Sequence, residues 1–211
     1  STVINIYECP SNADNNPFTD PVIPTLAPAV GDTFGITTYR LSKGATNNWC
    51  NQPGNLGQGK GMFDLGLRVS FRDVTDGTSN TIALGEGASG GRETLCTGAG
   101  CTGGTEMQTA IAWMIPQPIF SGAGAIRNSI FASTIDVINK EGTTASVVDD
   151  GDFGSCANNA TDTAGNFSSY HPGGANFAFA DGSVDFLSET IDMTIYRGLS
   201  TTQGGEAVSK P

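Results

Sequence analysis

Two short alternating runs, Ala175-Asn176-Phe177-Ala178-Phe179-Ala180 and Ser183-Val184-Asp185-Phe186-Leu187, meet at Asp181-Gly182. Asp-Gly between alternating apolar residues is a strong short-range hairpin signal, because a tight turn needs a positive φ that glycine adopts without steric cost. A two-residue type I′ turn at this dipeptide places Phe177 and Phe179 on one face, with Val184 and Phe186 packing on them from the returning strand. Turn formation is then a sufficient role for Asp181. Ser188 is expected to cap a short helix running through Ile191 and Tyr196 and ending at Arg197-Gly198, with Glu189 in its first turn.

The other segments lean the same way. Residues 3–7, 33–41, 81–86 and 110–115 read as strands, and 67–71 alternates Leu67, Val69 and Phe71 with Arg68 and Ser70, the period of a half-buried strand. Residues 126–139 are apolar without a clear period. Between these lie long connections rich in glycine, asparagine and proline: 12–28, 44–61, 87–105 and the stretch from Asp149 to Ser169. The expectation is one domain over residues 1–211, of α+β class and dominated by strands, with long Gly/Asn/Pro-rich loops and a short C-terminal helix.

Only 15% of the 211 residues are charged, and 21 acids against 10 bases give a net charge of −11. Such a surface repels a phosphate backbone, and Lys and Arg never cluster, which excludes nucleic-acid binding. It suits Ca²⁺, a cation that takes several oxygen ligands. No run approaches the roughly 20 apolar residues of a membrane helix. Of the cysteines at 9, 50, 96, 101 and 156, Cys96 and Cys101 enclose four residues and suit a small disulfide loop. Cys9 with Cys50 is the second candidate pair, leaving Cys156 unmatched. With one histidine and no Cys-x-x-Cys, the cysteines point to disulfides in an oxidising, extracytoplasmic compartment rather than to zinc.

His171 lies nine residues before Asp181-Gly182. With Cys9-Pro10-Ser11, Asp76-Gly77-Thr78-Ser79-Asn80-Thr81, Gly85-Glu86, His171-Pro172-Gly173-Gly174-Ala175-Asn176 and Gly204-Gly205-Glu206, it forms an ordered series that resembles the prepilin-processing-associated His-x9-Asp-Gly family, expanded in planctomycetes and similar to type IV pilins and type II secretion pseudopilins. The resemblance implies a pilin-like head with an antiparallel sheet, displayed at the cell surface or secreted. It also implies a longer precursor, inserted in the membrane through a hydrophobic N-terminal helix absent from these residues, and partners that are other copies of the chain in a filament or surface assembly. The signature residues are His171, Gly173, Gly174, Asn176, Asp181 and Gly182.

Read from the residues, His171 locks the turn before the hairpin by bonding to backbone or to Asp181, and Asn176 satisfies backbone groups of the Gly173-Gly174 turn. No Gly-x-Ser-x-Gly elbow accompanies the histidine, so no catalytic residue is assigned. Candidate Ca²⁺ ligands are Asp149, Asp150 and Asp152, and more weakly Asp73 and Asp76, although neither group has EF-hand spacing. Trp49, Trp113 and Tyr170, with Tyr39, are candidates for stacking on sugar rings. The function expected is that of a non-enzymatic surface or filament protein, structural or adhesive. The rivals are a polysaccharide- or solute-binding module and a secreted polysaccharide hydrolase or lyase.

Overall fold

The computed structural model describes residues 2–12, 16–19, 24, 31–45, 59–64, 68–88, 92–95, 105–108, 113, 130–139, 165–205 and 208–211. In chain order the strands are β1 (Phe18–Thr19), β2 (Thr33–Phe34), β3 (Tyr39–Gly44), β4 (Ile82–Glu86), β5 (Arg92–Leu95), β6 (Thr105–Gln108), β7 (Phe131–Ser133), β8 (Gly165–Asn166), β9 (Gly174–Phe179) and β10 (Val184–Ser188). After them comes an α-helix, α1 (Met193–Gly198), and 3-10 turns among the described residues cover Asn5–Tyr7, Phe71–Asp73 and Thr78–Asn80. The fold is α+β and dominated by strands.

The main sheet has six strands in the order β10-β9-β4-β3-β7-β8. It is antiparallel from β10 through β3, whereas β3–β7 and β7–β8 are parallel. The β1–β2 and β5–β6 pairs form separate two-stranded sheets. One face of the main sheet carries the core: Ile82, Phe177, Phe179 and Leu187 pack with Phe167, Ile138 and, from α1 and the residue after it, Tyr196 and Leu199. Phe177 meets Phe167 edge-on at a 5.1 Å centroid distance and Tyr196 at 5.9 Å.

The hairpin forms where the alternation places it, but its loop is one residue longer than Asp-Gly suggests. Phe179 N donates to Ser183 O and Gly182 N donates to Phe179 O, leaving Ala180, Asp181 and Gly182 as the loop. Gly182 holds φ 86°, while Asp181 keeps an ordinary negative φ. This is a type I turn closed by a glycine bulge rather than a type I′ turn. Asp181 accepts from Ser183 N at 2.9 Å and Ser183 Oγ at 2.7 Å. A one-residue change of register turns every side chain to the opposite face. Val184 therefore pairs with Ala178, Phe186 pairs with Asn176, and both are exposed. Leu187, opposite Ala175, enters the core in their place.

Bonds from Ser79 and Ser183 to the Asp181 carboxylate hold its pKa down at about 2, against an ordinary 3.8. A carboxyl depressed on folding contributes stability above its unfolded pKa and loses it as the pH falls through the folded one. Asp181→Asn is therefore expected to lose less stability than the wild type between pH 3.8 and about 2. Parallel acid-unfolding curves for the two proteins would show that this carboxyl is not held by the loop.

Four local expectations are corrected, the first being that the connection 87–105 is not all loop but holds strand β5 (Arg92–Leu95). Residues 3–7 contain a 3-10 turn, not a strand. Of the alternating stretch 67–71, residues 68–70 are irregular and Phe71 opens another 3-10 turn. There Ser70 N and Oγ donate to Asp73 Oδ2 at 2.9 and 2.6 Å, a reciprocal cap that outcompetes pairing. Asp192, not Ser188, caps α1, accepting from Thr194 N and Ile195 N, and Ser188 is the last residue of β10. Among the described residues no helix is long and apolar enough to cross a membrane.

Candidate functional site

The opposite face of the sheet is built by the alternate residues. Tyr39 pairs with Glu86 and Leu41 with Leu84 across β3–β4, and Leu84 pairs with Ala178 across β4–β9. With Val184 opposite Ala178, an apolar row of Val184, Ala178, Leu84 and Leu41 crosses four strands. This row floors a cleft of about 720 Å³, whose wall includes Tyr7 and Trp113. Those two rings stand 6.1 Å apart at 60°. Trp113 Nε1 donates to Thr2 O at 3.1 Å, fixing the indole to the N-terminal segment.

At one end the cleft turns polar, where Cys9, Glu86 and His171 meet. Each arrives by a different route. Thr38 N donates to Tyr7 O and Cys9 N to Thr38 Oγ1, which docks the N-terminal segment beside the start of β3. Glu86 is the last residue of β4. His171 precedes β9 in a segment tied to β4 by Ser168 N to Glu86 O and Ala88 N to Ser168 O. The Cys9 Sγ to Glu86 Oε1 distance is 3.4 Å, Cys9 Sγ to His171 Nε2 is 3.6 Å, and His171 Nε2 to Glu86 Oε1 is 3.3 Å. Cys9 and Glu86 are buried, and the His171 side chain is 34% exposed.

The Glu86 carboxylate is held from behind. Its Oε2 accepts from Ser169 Oγ at 2.7 Å, Asn176 N at 2.8 Å and Asn176 Nδ2 at 3.3 Å. Ser169 Oγ also accepts from His171 N at 3.0 Å, so one serine positions both the carboxylate and the histidine. Burial raises the Tyr39 phenol above its ordinary pKa, and the negative potential of Cys9 and then Glu86 adds to the shift.

This arrangement differs from the roles read in the sequence. His171 bonds toward Glu86 and Cys9 rather than Asp181, because the nine residues between His171 and Asp181 hold a six-residue strand, about 20 Å of extended chain. Asn176 serves Glu86 rather than the Gly173-Gly174 turn. Gly173 holds φ 83° in that turn, and Gly174 opens β9 opposite Ser188. Glu86 received no site role from the sequence, and Cys9 only that of a possible disulfide partner for Cys50. The available signal was that both stand in the ordered motifs, separated by 77 positions and joined only through the sheet.

The other candidates disperse. Asp76 is spent on the C-terminal segment, accepting from Thr201 Oγ1, Gly204 N and Gly205 N at 3.2, 2.7 and 3.1 Å. Asp73 is occupied by its turn. Among the described residues the one group of three metal-ligating side chains brought together is Cys9, Glu86 and His171. Trp113 and Tyr39 reach the cleft, whereas Tyr170 lines a separate small void. Cys9 is a free thiol. Its suggested partner Cys50, together with Cys96, Cys101, Cys156, Trp49, Asp149, Asp150 and Asp152, lies outside the described residues.

The cluster is poorly arranged for acid–base or nucleophilic catalysis. A Cys-His relay places the orienting acid on the imidazole nitrogen away from the nucleophile, whereas here sulfur and carboxylate address the same nitrogen. Glu86 is the one carboxylate among the described cleft-lining residues, where glycoside hydrolysis uses a pair.

Fold and site together define a strand-dominated α+β protein with a cleft on one face of its sheet. A family model described as a protein of unknown function (DUF1559), with the short name SBP_bac_10, matches residues 1–194. The chain belongs to that family. No curated protein and no solved structure matches it.

Proposed function

We propose that the chain is the head of a non-enzymatic, pilin-like surface protein that works outside the cytoplasm by binding through the open face of its sheet. The observation that carries this reading is the apolar row across β10, β9, β4 and β3, continued at the sheet edge by Val184 and Phe186, which are 63% and 50% exposed. Isolated exposed apolar residues are ordinary, but a contiguous cleft flanked by them marks an interaction surface. The resemblance to pilins supplies the expected partner, other copies of the chain in a surface assembly. The test is the double variant Val184→Asp/Phe186→Asp in the full-length precursor. It should fold with an unchanged thermal midpoint, since exposed substitutions shift stability by only about 0.5 kcal/mol, yet lose assembly on the cell surface. Wild-type levels of assembly by the variant, or confinement of the protein to the cytoplasm, would overturn the proposal.

A second reading, binding of an extracellular polysaccharide or other solute, is favoured by Tyr7, Tyr39 and Trp113 around the cleft, where aromatic faces can stack on sugar rings. A glycan array on which Trp113→Ala binds as the wild type does would exclude this role for the cleft.

A further inference from the structure

We infer that Cys9, Glu86 and His171 form a binding site for a divalent transition metal ion of the zinc class, with an open coordination position facing the cleft. The argument begins with spacing. A tetrahedral Zn²⁺ with bonds of about 2.3 Å to sulfur, about 2.05 Å to nitrogen and about 2.0 Å to oxygen has edges of about 3.6 Å for S···N, about 3.5 Å for S···O and about 3.3 Å for N···O. The corresponding separations here are 3.6, 3.4 and 3.3 Å. Direct hydrogen bonding accounts for them less well. A charge-assisted N–H···O bond closes to about 2.7–2.9 Å, and Cys9 Sγ, His171 Nε2 and Glu86 Oε1 form a triangle in which three well-directed hydrogen bonds cannot coexist. Three ligand atoms within 3.6 Å of one another are what a cation requires.

The donor chemistry selects the ion. Thiolate and imidazole favour zinc-class metals, whereas Ca²⁺ and Mg²⁺ take all-oxygen sets. The surrounding residues provide the support that metal ligands need. Ser169 and Asn176 hold Glu86 Oε2 with three bonds of 2.7–3.3 Å, while Oε1, the atom offered to the ion, takes from them only the longer 3.4 Å bond of Asn176 Nδ2; Ser169 also anchors the His171 backbone, and Thr38 anchors that of Cys9. Three protein ligands leave one tetrahedral position, and because all three line the cleft, that position is reachable by water or by a donor atom of whatever enters. The site also explains why residues from three distant parts of the chain converge on a place with no relay geometry. It does not depend on the surface-assembly reading. Val184 and Phe186 lie on the edge strand and contribute no ligand, so the two ideas fail separately.

The test uses the whole chain, stripped with a chelator, freed of it and kept under a non-thiol reductant. Zn²⁺ is titrated in competition with a chromophoric chelator, and Co²⁺ serves as the spectroscopic probe. One equivalent should bind, and Co²⁺ should show a thiolate-to-metal charge-transfer band in the near ultraviolet. His171→Gln alters a partly exposed side chain and is expected to keep the fold, shown by its circular dichroism, while losing at least about 100-fold in affinity. Asn176→Ala, which touches only the support of Glu86, should lose about 10–100-fold. Cys9→Ser should abolish the charge-transfer band. Failure of the wild type to take up one equivalent at micromolar Zn²⁺, or affinity and band unchanged in both His171→Gln and Cys9→Ser, would overturn the assignment.

Discussion

Lys43→Met should lower the free energy of unfolding by roughly 3–5 kcal/mol, the cost of removing one partner from a buried ion pair. Lys43 Nζ lies 2.6 Å from Asp64 Oδ2, with the two side chains 0% and 2% exposed. Burial lowers the Lys43 pKa, and the Asp64 charge and hydrogen bond oppose that shift, so desolvation is the dominant effect on the ammonium. The pair fastens the 59–64 segment to the end of β3, alongside the backbone bonds from Gly61 N to Lys43 O and from Phe63 N to Ser42 O. Methionine fills much of the same space but removes the Lys43 charge that stands 2.6 Å from the Asp64 carboxylate. The double variant Lys43→Met/Asp64→Leu should recover most of the loss, because an apolar pair of similar volume often replaces a buried ion pair at little cost. Urea unfolding would read both effects as midpoint shifts at unchanged slope. A single variant as stable as the wild type would mean that the Asp64 charge is compensated without Lys43.

Phe177→Ala should cost about 3–5 kcal/mol, the range for deleting a buried aromatic ring. Phe177 is fully buried, edge-on to Phe167 and Tyr196, and its ring also covers Gly85, where an added Cβ would stand 2.6 Å from Phe177 Cε1. Val184→Ala on the adjacent strand should shift stability by no more than about 0.5 kcal/mol, because Val184 is exposed. The contrast tests the hairpin register. In the two-residue-turn register Val184 packs against the buried phenylalanines, and its truncation would then cost about 1 kcal/mol or more.

Local chemistry made much of the fold legible. The β9–β10 hairpin and β4 stand where alternation and turn residues place them, and the C-terminal helix ends at Gly198 as expected but begins only at Met193. The losses occurred where two local signals competed. Asp181-Gly182 fits a two-residue turn and the end of a three-residue loop equally well, and the choice rests on how the returning strand packs. Ser188 and Asp192 are both good helix caps, and the chain uses the one after β10 has finished its pairing. The alternation at Leu67, Val69 and Phe71 gave way to the bond between Ser70 and Asp73. The candidate site was legible only in part. His171 stood out as the sole histidine and as part of a motif, but its partners depend on the β4–β9 register and on docking of the N-terminal segment. Cys9 lies 162 positions from His171, a separation that no periodicity spans.

The irregularity in β4 has its own consequence. Ile82 pairs with Phe179 and Leu84 with Ala178, so the register shifts within three residues of β4. Under strict alternation from Ile82, Leu84 and Glu86 would turn inward against the phenylalanines, and Gly85 would open onto the cleft. The shift reverses the parity midway, and a five-residue strand delivers an isoleucine to the interior at one end and a carboxylate to the opposite surface at the other. Many side chains could stand at Ala83, but deleting the position would exchange inside for outside over the rest of the strand. The length of this segment is thus under tighter constraint than its composition.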